Sequence, residues 1–195
     1  MSSPVVGEPL GSAIESLEVV DADGHVRSLS TVFARSDALV LCVRQLGCVA
    51  CSEQVALLRA RLDELVRLDV APWILACAPV VDLAPWITRQ GLDDSGIRVC
   101  TDPTLAVHRA LGLHRGFWRA WGLRAAIGFA SAFSHGFLPG RFRGDVSQQA
   151  GALLVTRDGM VRALVRSEHL GDHVPLVALI EATLRARVSE ADFHV

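Results

Sequence analysis

Ala38-Leu39-Val40-Leu41-Cys42-Val43-Arg44-Gln45-Leu46-Gly47-Cys48-Val49-Ala50-Cys51 is the stretch on which the reading of this chain turns. Its first six residues are apolar without interruption and of strand length, as expected of a strand buried on both faces. Four residues beyond Gly47 the period has changed. Cys51, Val55, Leu58, Leu62 and Leu65 recur at spacings of 4, 3, 4 and 3, with Glu53, Arg59, Arg61, Asp63 and Glu64 between them. That pattern predicts an amphipathic helix. A C-x-x-C pair therefore sits where a buried strand hands over to a helix.

Working outward, Trp73 to Ala78 reads as a second apolar strand, residues 82 to 90 as a helix closed by Gly91, and Ile97 to Cys100 as a short strand ending at Asp102-Pro103. Strand and helix in alternation imply a parallel sheet covered by helices. Before this unit, Asp21-Ala22-Asp23-Gly24 divides Leu17–Val20 from His25–Leu29, which predicts a hairpin over 17–29. After it, Arg157-Asp158-Gly159 separates Ala152–Thr156 from Met160–Arg166, a second hairpin. A last helix is expected after Asp172 as N-cap, with Pro175 in its first turn and Leu176, Val177, Ile180 and Leu184 buried. The expected fold is thus α/β and thioredoxin-like: one domain over 1–195, with a central mixed sheet flanked by helices and an insertion at about 112–147.

The composition of the 195 residues, 51% hydrophobic and 21% charged, fits a chain with a sizeable core and excludes a disordered one. A net charge of -2 gives no reason to expect nucleic acid as a partner. All 19 cations are arginine, and there is no Lys or Tyr, so mechanisms that need a lysine amine or a tyrosine phenol are excluded. No cation precedes Arg27, as a secretory leader would require, and polar residues interrupt every long apolar run. The expected location is the cytoplasm, where thiols stay reduced. Five cysteines, an odd number, then suggest a reactive pair plus core residues rather than a disulfide scaffold.

Helix N-termini present backbone N–H groups and a positive dipole end, which lower a cysteine pKa from about 8.5 into the range of about 3.5 to 7.5. Only the thiolate attacks. Cys48, at the helix entrance, is read as the nucleophile. Cys51, one turn on, is read as the resolving thiol, although its place in the buried stripe would also suit simple packing. No second C-x-x-C or C-x-x-H accompanies the pair, so zinc is not expected. Cys42, Cys77 and Cys100 read as strand cysteines. Arg44, in the loop before the helix, reads as a cation that stabilises the thiolate and hydrogen-bonds a peroxide or carboxylate oxygen, with an ordinary solvated loop arginine as the alternative. Gln148 and Gln149 precede the second hairpin, in a loop expected to approach the pair. His169, Asp172 and His173 have metal-ligand types, but Asp172 is needed as N-cap and Gly171 separates the histidines, so no metal is expected there.

Residues 103 to 144 contain no Asp or Glu, six Arg and three His. Seven of the eleven aromatics fall within 117 to 142: Phe117, Trp118, Trp121, Phe129, Phe133, Phe137 and Phe142. Burial on the sheet or in a homodimer interface, a lid over substrate through Trp118 and Trp121, and contact with a membrane surface are the three readings of this block.

Arg44-Gln45-Leu46-Gly47-Cys48-Val49-Ala50-Cys51 after an apolar strand resembles the R-x-x-G-C-x-x-C segment of the peroxiredoxin-like branch of the AhpC/TSA family, the alkyl hydroperoxide reductases and thiol-specific antioxidants. Thr101-Asp102-Pro103 with Ala110-Leu111-Gly112-Leu113, Gln148-Gln149-Ala150-Gly151, and Gly171-Asp172-His173 agree in order, so the resemblance spans roughly 15 to 185. It implies a thioredoxin-like fold and a thiol-dependent oxidoreductase that reduces peroxide or endoperoxide O–O bonds through Cys48 and Cys51. It also implies a thioredoxin-type reductant as partner and no cofactor besides that external thiol. Peroxiredoxins proper carry Thr or Ser three residues before the attacking cysteine to orient the peroxide, and here that position is Gln45. Two alternatives stand beside this reading: a thiol-disulfide exchange protein, and a thioredoxin-fold scaffold that binds a partner through 117–142.

Overall fold

The computed structural model describes residues 3–115, 147–167 and 174–182. Seven strands form one sheet in the order β2-β1-β5-β4-β3-β6-β7. They are β1 (Glu18–Asp21), β2 (Val26–Ser28), β3 (Asp37–Cys42), β4 (Val70–Ala76), β5 (Arg98–Thr101), β6 (Gly151–Val155) and β7 (Val161–Arg166). The helices are α1 (Ser12–Glu15), α2 (Val49–Ala60), α3 (Leu62–Arg67), α4 (Leu83–Arg89), α5 (Ala106–Ala110) and α6, residues 176–182. β3, β4 and β5 run parallel, while β1, β2, β6 and β7 join antiparallel at the two sides. This is the expected mixed sheet with both hairpins in place.

The continuous apolar character of β3 has its cause in the layers around it. Side chains of a strand alternate between faces. Leu39, Leu41 and Val43 join one core with Ile74, Ala76, Ala152 and the inward faces of α2, α3, α4 and α6. Ala38, Val40 and Cys42 join a second with Trp73, Leu75, Ile14, Phe33, Val107 and Leu113. A strand covered on both sides has no solvent face on which a polar residue would be tolerated, so β3 contains none after Asp37.

One predicted element differs. The helix expected to run from Cys51 through Leu65 divides at Arg61, whose N–H bonds the Leu58 carbonyl at 3.2 Å, an i to i−3 bond that tightens the turn. The Arg61 guanidinium then bonds Glu64 at 2.7 Å, and α3 packs against β4. Heptad-like spacing continues across the division, which is why the sequence pattern did not reveal it.

Asp102 anchors the chain after β5. It is 1% exposed, and its carboxylate accepts the Thr104 N–H at 3.0 Å, the Thr104 hydroxyl at 2.6 Å and the Val107 N–H at 2.7 Å. Burial pushes its pKa up, but the His108 ring 3.9 Å away and the hydrogen bonds from Thr104 and Val107 outweigh burial and hold it below the ordinary value. Asp102→Ala is therefore expected to lower the stability by about 3 kcal/mol, since it strands buried donors. The sign with pH follows. A depressed carboxylate stabilises above its unfolded pKa, and that contribution disappears as pH falls through the folded value. Urea midpoints measured from neutral to acid pH should show the variant's deficit shrinking towards acid.

Candidate active site

β3 ends on its carboxyl side between β4, a parallel neighbour, and β6, an antiparallel one. The next parallel crossover leaves toward β4 and the later hairpin lies on the other side, so this edge is the point where the chain's direction of growth reverses. Ligand crevices in open α/β sheets form at such points. Val43 extends the pairing with a hydrogen bond from its N–H to the Leu75 carbonyl at 2.9 Å, and residues 44–47 then turn. The Cys48 N–H reaches the Gln45 carbonyl at 3.4 Å, and the Ser52 N–H bonds the Cys48 carbonyl at 3.0 Å, which opens α2. Cys48 is the N-cap, with extended backbone at φ −75° and ψ 122°. Cys51 is the third helical residue.

Arg44, Gln45, Cys48 and Cys51 lie together where β3 hands over to α2, with the two cysteines near each other. The group is also drier than the sequence suggests. Arg44 and Gln45 are each 2% exposed, Cys48 0% and Cys51 4%. Cys48, expected as the outer thiol, is the more enclosed of the pair. All five cysteines are reduced thiols.

One proton is shared by the pair, and the surroundings of the two sulfurs decide where it sits. The hydrogen bond with Cys51, and burial, hold the Cys48 thiol well above its ordinary pKa. Cys51 is lowered to about 6: chiefly the Cys48 S–H donates to it, and against the cost of burial the Arg44 charge and the backbone N–H groups of Arg44 and Gln45 add to the stabilisation. Side chains on a helix lean toward its N-terminus, so a residue in the first turn reaches back into the preceding loop, and these two amides are what Cys51 meets there. Of the two sulfurs, Cys51 is the one whose surroundings favour the charged form.

A crevice of about 260 Å³, counting the part open to solvent, adjoins the pair, and its wall includes Cys51, Arg44, Gln54, Ala150 and Val174 along with the end of β3. Cys48 is not in that wall. Gln54 escaped the sequence reading. It lies one turn beyond Cys51 and is 6% exposed, a polar residue within an otherwise apolar buried stripe, and that contrast is the signal that would have found it.

Gln148 and Gln149 are near the sheet end, but their side chains turn elsewhere. The Gln148 amide donates to the Leu113 carbonyl at 2.9 Å, and the Gln149 side-chain oxygen accepts the His114 N–H at 2.9 Å. They tie residues 113–115 to 147–149, and neither lines the crevice. Trp118 and Trp121, with the rest of the aromatic block, lie outside the described residues, as do His169, Asp172 and His173. Cys42, Cys77 and Cys100 are strand-side and buried. Burial pushes the Cys42 thiol far up and the Cys100 thiol up to about 12, and the Cys77 S–H donates to the Arg44 carbonyl at 2.5 Å. Neither Cys42 nor Cys100 is a ready thiolate. Among the described residues, Asp21, Asp23 and His25 bring ligand atoms within 4.8 Å of one another. The Asp21 oxygens already accept from the Asp23 and His25 N–H groups and from Arg27, so this cluster is a turn lock.

Among the described residues, no helix is long and apolar enough to cross a membrane. No family model matches the sequence. Among curated proteins, the chain is similar to Peroxiredoxin-like 2C of Homo sapiens, 24% identical over 195 residues covering 92% of this chain and 83% of that protein. Among solved structures, the fold matches peroxidoxin BcpB of Mycobacterium tuberculosis with a TM-score of 0.65 at 17% identity, covering 93% of this chain and 96% of that one. It also matches reduced Prx3 of Vibrio vulnificus in complex with hydrogen peroxide, with a TM-score of 0.59 at 16% identity, covering 84% and 88% of the two chains.

Proposed function

The chain is peroxiredoxin-like in sequence and in fold, and from that premise we propose that it is a thiol peroxidase whose Cys48 and Cys51 are oxidised to a disulfide by a hydroperoxide. The observation that carries this reading is the pair itself. Two neighbouring cysteines lie at the start of α2, close to a buried arginine, and one of them has its pKa lowered to about 6. Low-pKa thiolates next to a second thiol are the chemistry of sulfenate formation and resolution.

The step balances as follows. A thiolate attacks one oxygen of R–O–O–H, an S–O bond forms as the O–O bond breaks, and the departing alkoxide takes a proton to become ROH. The second thiol attacks the sulfenic sulfur and water leaves, with the proton of that thiol. An external dithiol of the thioredoxin class then reduces the disulfide by exchange. Hydrogen peroxide, bound by the Vibrio vulnificus neighbour, is the first substrate to test. Endoperoxides offer the same O–O bond and are the second. The wall beside Cys51 is partly apolar, formed by Leu41, Val43, Ala150 and Val174.

Intact-mass measurement after one equivalent of hydrogen peroxide checks the proposal. The expected result is loss of two hydrogens by the reduced protein, abolished in both Cys48→Ser and Cys51→Ser. An inert pair would overturn it. A pair that ignores peroxide but is oxidised by a small disulfide would replace it with thiol-disulfide exchange.

A further inference from the structure

Resting on that peroxidase reading, the geometry points to Cys51, the second cysteine of the C-x-x-C, as the sulfur that attacks the O–O bond, with Cys48 as the resolving thiol. The reverse order is what the position of Cys48 at the helix entrance suggests, and three observations oppose it. Cys51 forms part of the crevice wall while Cys48 does not, so a small molecule entering the crevice meets Cys51 first. Arg44 lines the same crevice, is 2% exposed, and its Nε has no hydrogen-bond partner among the described residues. The loop amides of Arg44 and Gln45 are turned on the Cys51 sulfur, whereas Cys48 receives only the N–H of Cys51.

These features suit an attack from Cys51. Two backbone N–H groups and the Cys48 S–H hold the negative charge on the Cys51 sulfur before reaction. Desolvation would otherwise oppose that charge at such depth. The guanidinium of Arg44 stands beside the sulfur and can donate to the peroxide oxygen on which charge develops, a charge-assisted bond of the kind that lowers barriers most in a dry site. Gln54, one turn along α2 and in the same wall, is placed to orient the substrate with its amide. In electron terms, the Cys51 thiolate gives a pair to the distal oxygen and becomes Cys51–S–OH. The peroxide O–O bond breaks, and the alkoxide leaves as ROH after taking a proton from solvent. Cys48 then loses its proton, attacks the Cys51 sulfur and displaces hydroxide, which leaves as water with that proton.

Single-cysteine variants with a sulfenic-acid trap distinguish the two orders. Hydrogen peroxide is added with dimedone to Cys48→Ser and to Cys51→Ser, and the adduct is located by fragment-ion mass spectrometry. Cys48→Ser is expected to carry the adduct on Cys51, formed at least several-fold faster than any adduct on Cys48 in Cys51→Ser, because Cys51 and Arg44 lie in the crevice wall and Cys48 does not. The labelling rate of Cys48→Ser should fall as pH drops below the ordinary thiol range and should still be appreciable at pH 7. Because buried substitutions can disturb packing, the wild type is also treated with limiting iodoacetamide at pH 7, and the modified sulfur is mapped. Alkylation at Cys51 supports the assignment. Alkylation at Cys48, or a fast adduct on Cys48 in Cys51→Ser, overturns it while leaving the peroxidase reading intact. A wild type that loses no hydrogens to peroxide defeats the peroxidase reading itself.

Discussion

Arg44→Met is expected to slow peroxide-driven disulfide formation by roughly 10- to 100-fold at pH 7, one of the two largest effects in this molecule. Methionine keeps most of the apolar stem and removes the charge. In the folded protein the Arg44 charge lowers the pKa of both sulfurs. The backbone amide and carbonyl of Arg44, which hold Cys51 and Cys77, stay in place when the side chain changes. The substitution therefore separates charge from geometry. Without the cation the Cys51 thiolate is destabilised, so its pKa rises from about 6 toward the ordinary thiol value. The pH–rate profile of the variant should move to higher pH and recover part of the lost rate under alkaline conditions. Initial rates of disulfide formation from pH 5 to 9 measure both quantities. Arg44→Lys, which keeps the charge but not the planar fork, should fall between the two. A variant with unchanged profile would mean that the loop amides alone hold the thiolate.

The sequence made the architecture legible because the fold is written in period and punctuation. An unbroken apolar strand, a helical stripe beginning at Cys51, and Gly-containing turns at 21–24 and 157–159 each constrain one element, and together they leave few topologies. The cluster of Arg44, Gln45, Cys48 and Cys51 was legible for the same reason: all four lie within eight residues, so local geometry alone brings them together. What the sequence could not show depends on contacts between distant segments. Ala150 and Val174 join the crevice only because β6 pairs with β3 and the chain returns to α6 beside it. Gln148 and Gln149 are near the site in sequence logic but bond to Leu113 and His114, residues some 35 positions away. The burial of Cys48 has the same origin. A helix entrance is an exposed place only if nothing packs over it.

Gly151→Val is expected to destabilise the fold by more than 3 kcal/mol, beyond the usual range for an overpacked core, because the clash is with main chain. Gly151 opens β6 at the very edge where the active loop leaves β3. It lies opposite Cys42 on one side and Arg166 on the other. A Cβ there would lie 2.6 Å from the Val165 carbonyl oxygen and 2.7 Å from a methyl of Leu113. Leu113 is itself 1% exposed and cannot swing away, and the Val165 oxygen belongs to β7. Relief requires β6 to move, and β6 cannot move without shifting Ala150 or loosening its ladder with β3. Even Gly151→Ala meets these contacts. A control separates this steric effect from loss of glycine's freedom: Gly96 has φ +81° with nothing within 4 Å of a Cβ, so Gly96→Ala is expected to cost only about 1 to 2 kcal/mol, from left-handed backbone alone. Urea unfolding should rank Gly151→Val below Gly151→Ala, and both below Gly96→Ala, with unchanged denaturant slopes. The activity readout should differ as well. Gly96→Ala leaves the crevice untouched, whereas Gly151→Ala displaces the neighbour of Ala150, in the wall opposite Cys51, and should slow peroxide reaction even at temperatures where the protein stays folded.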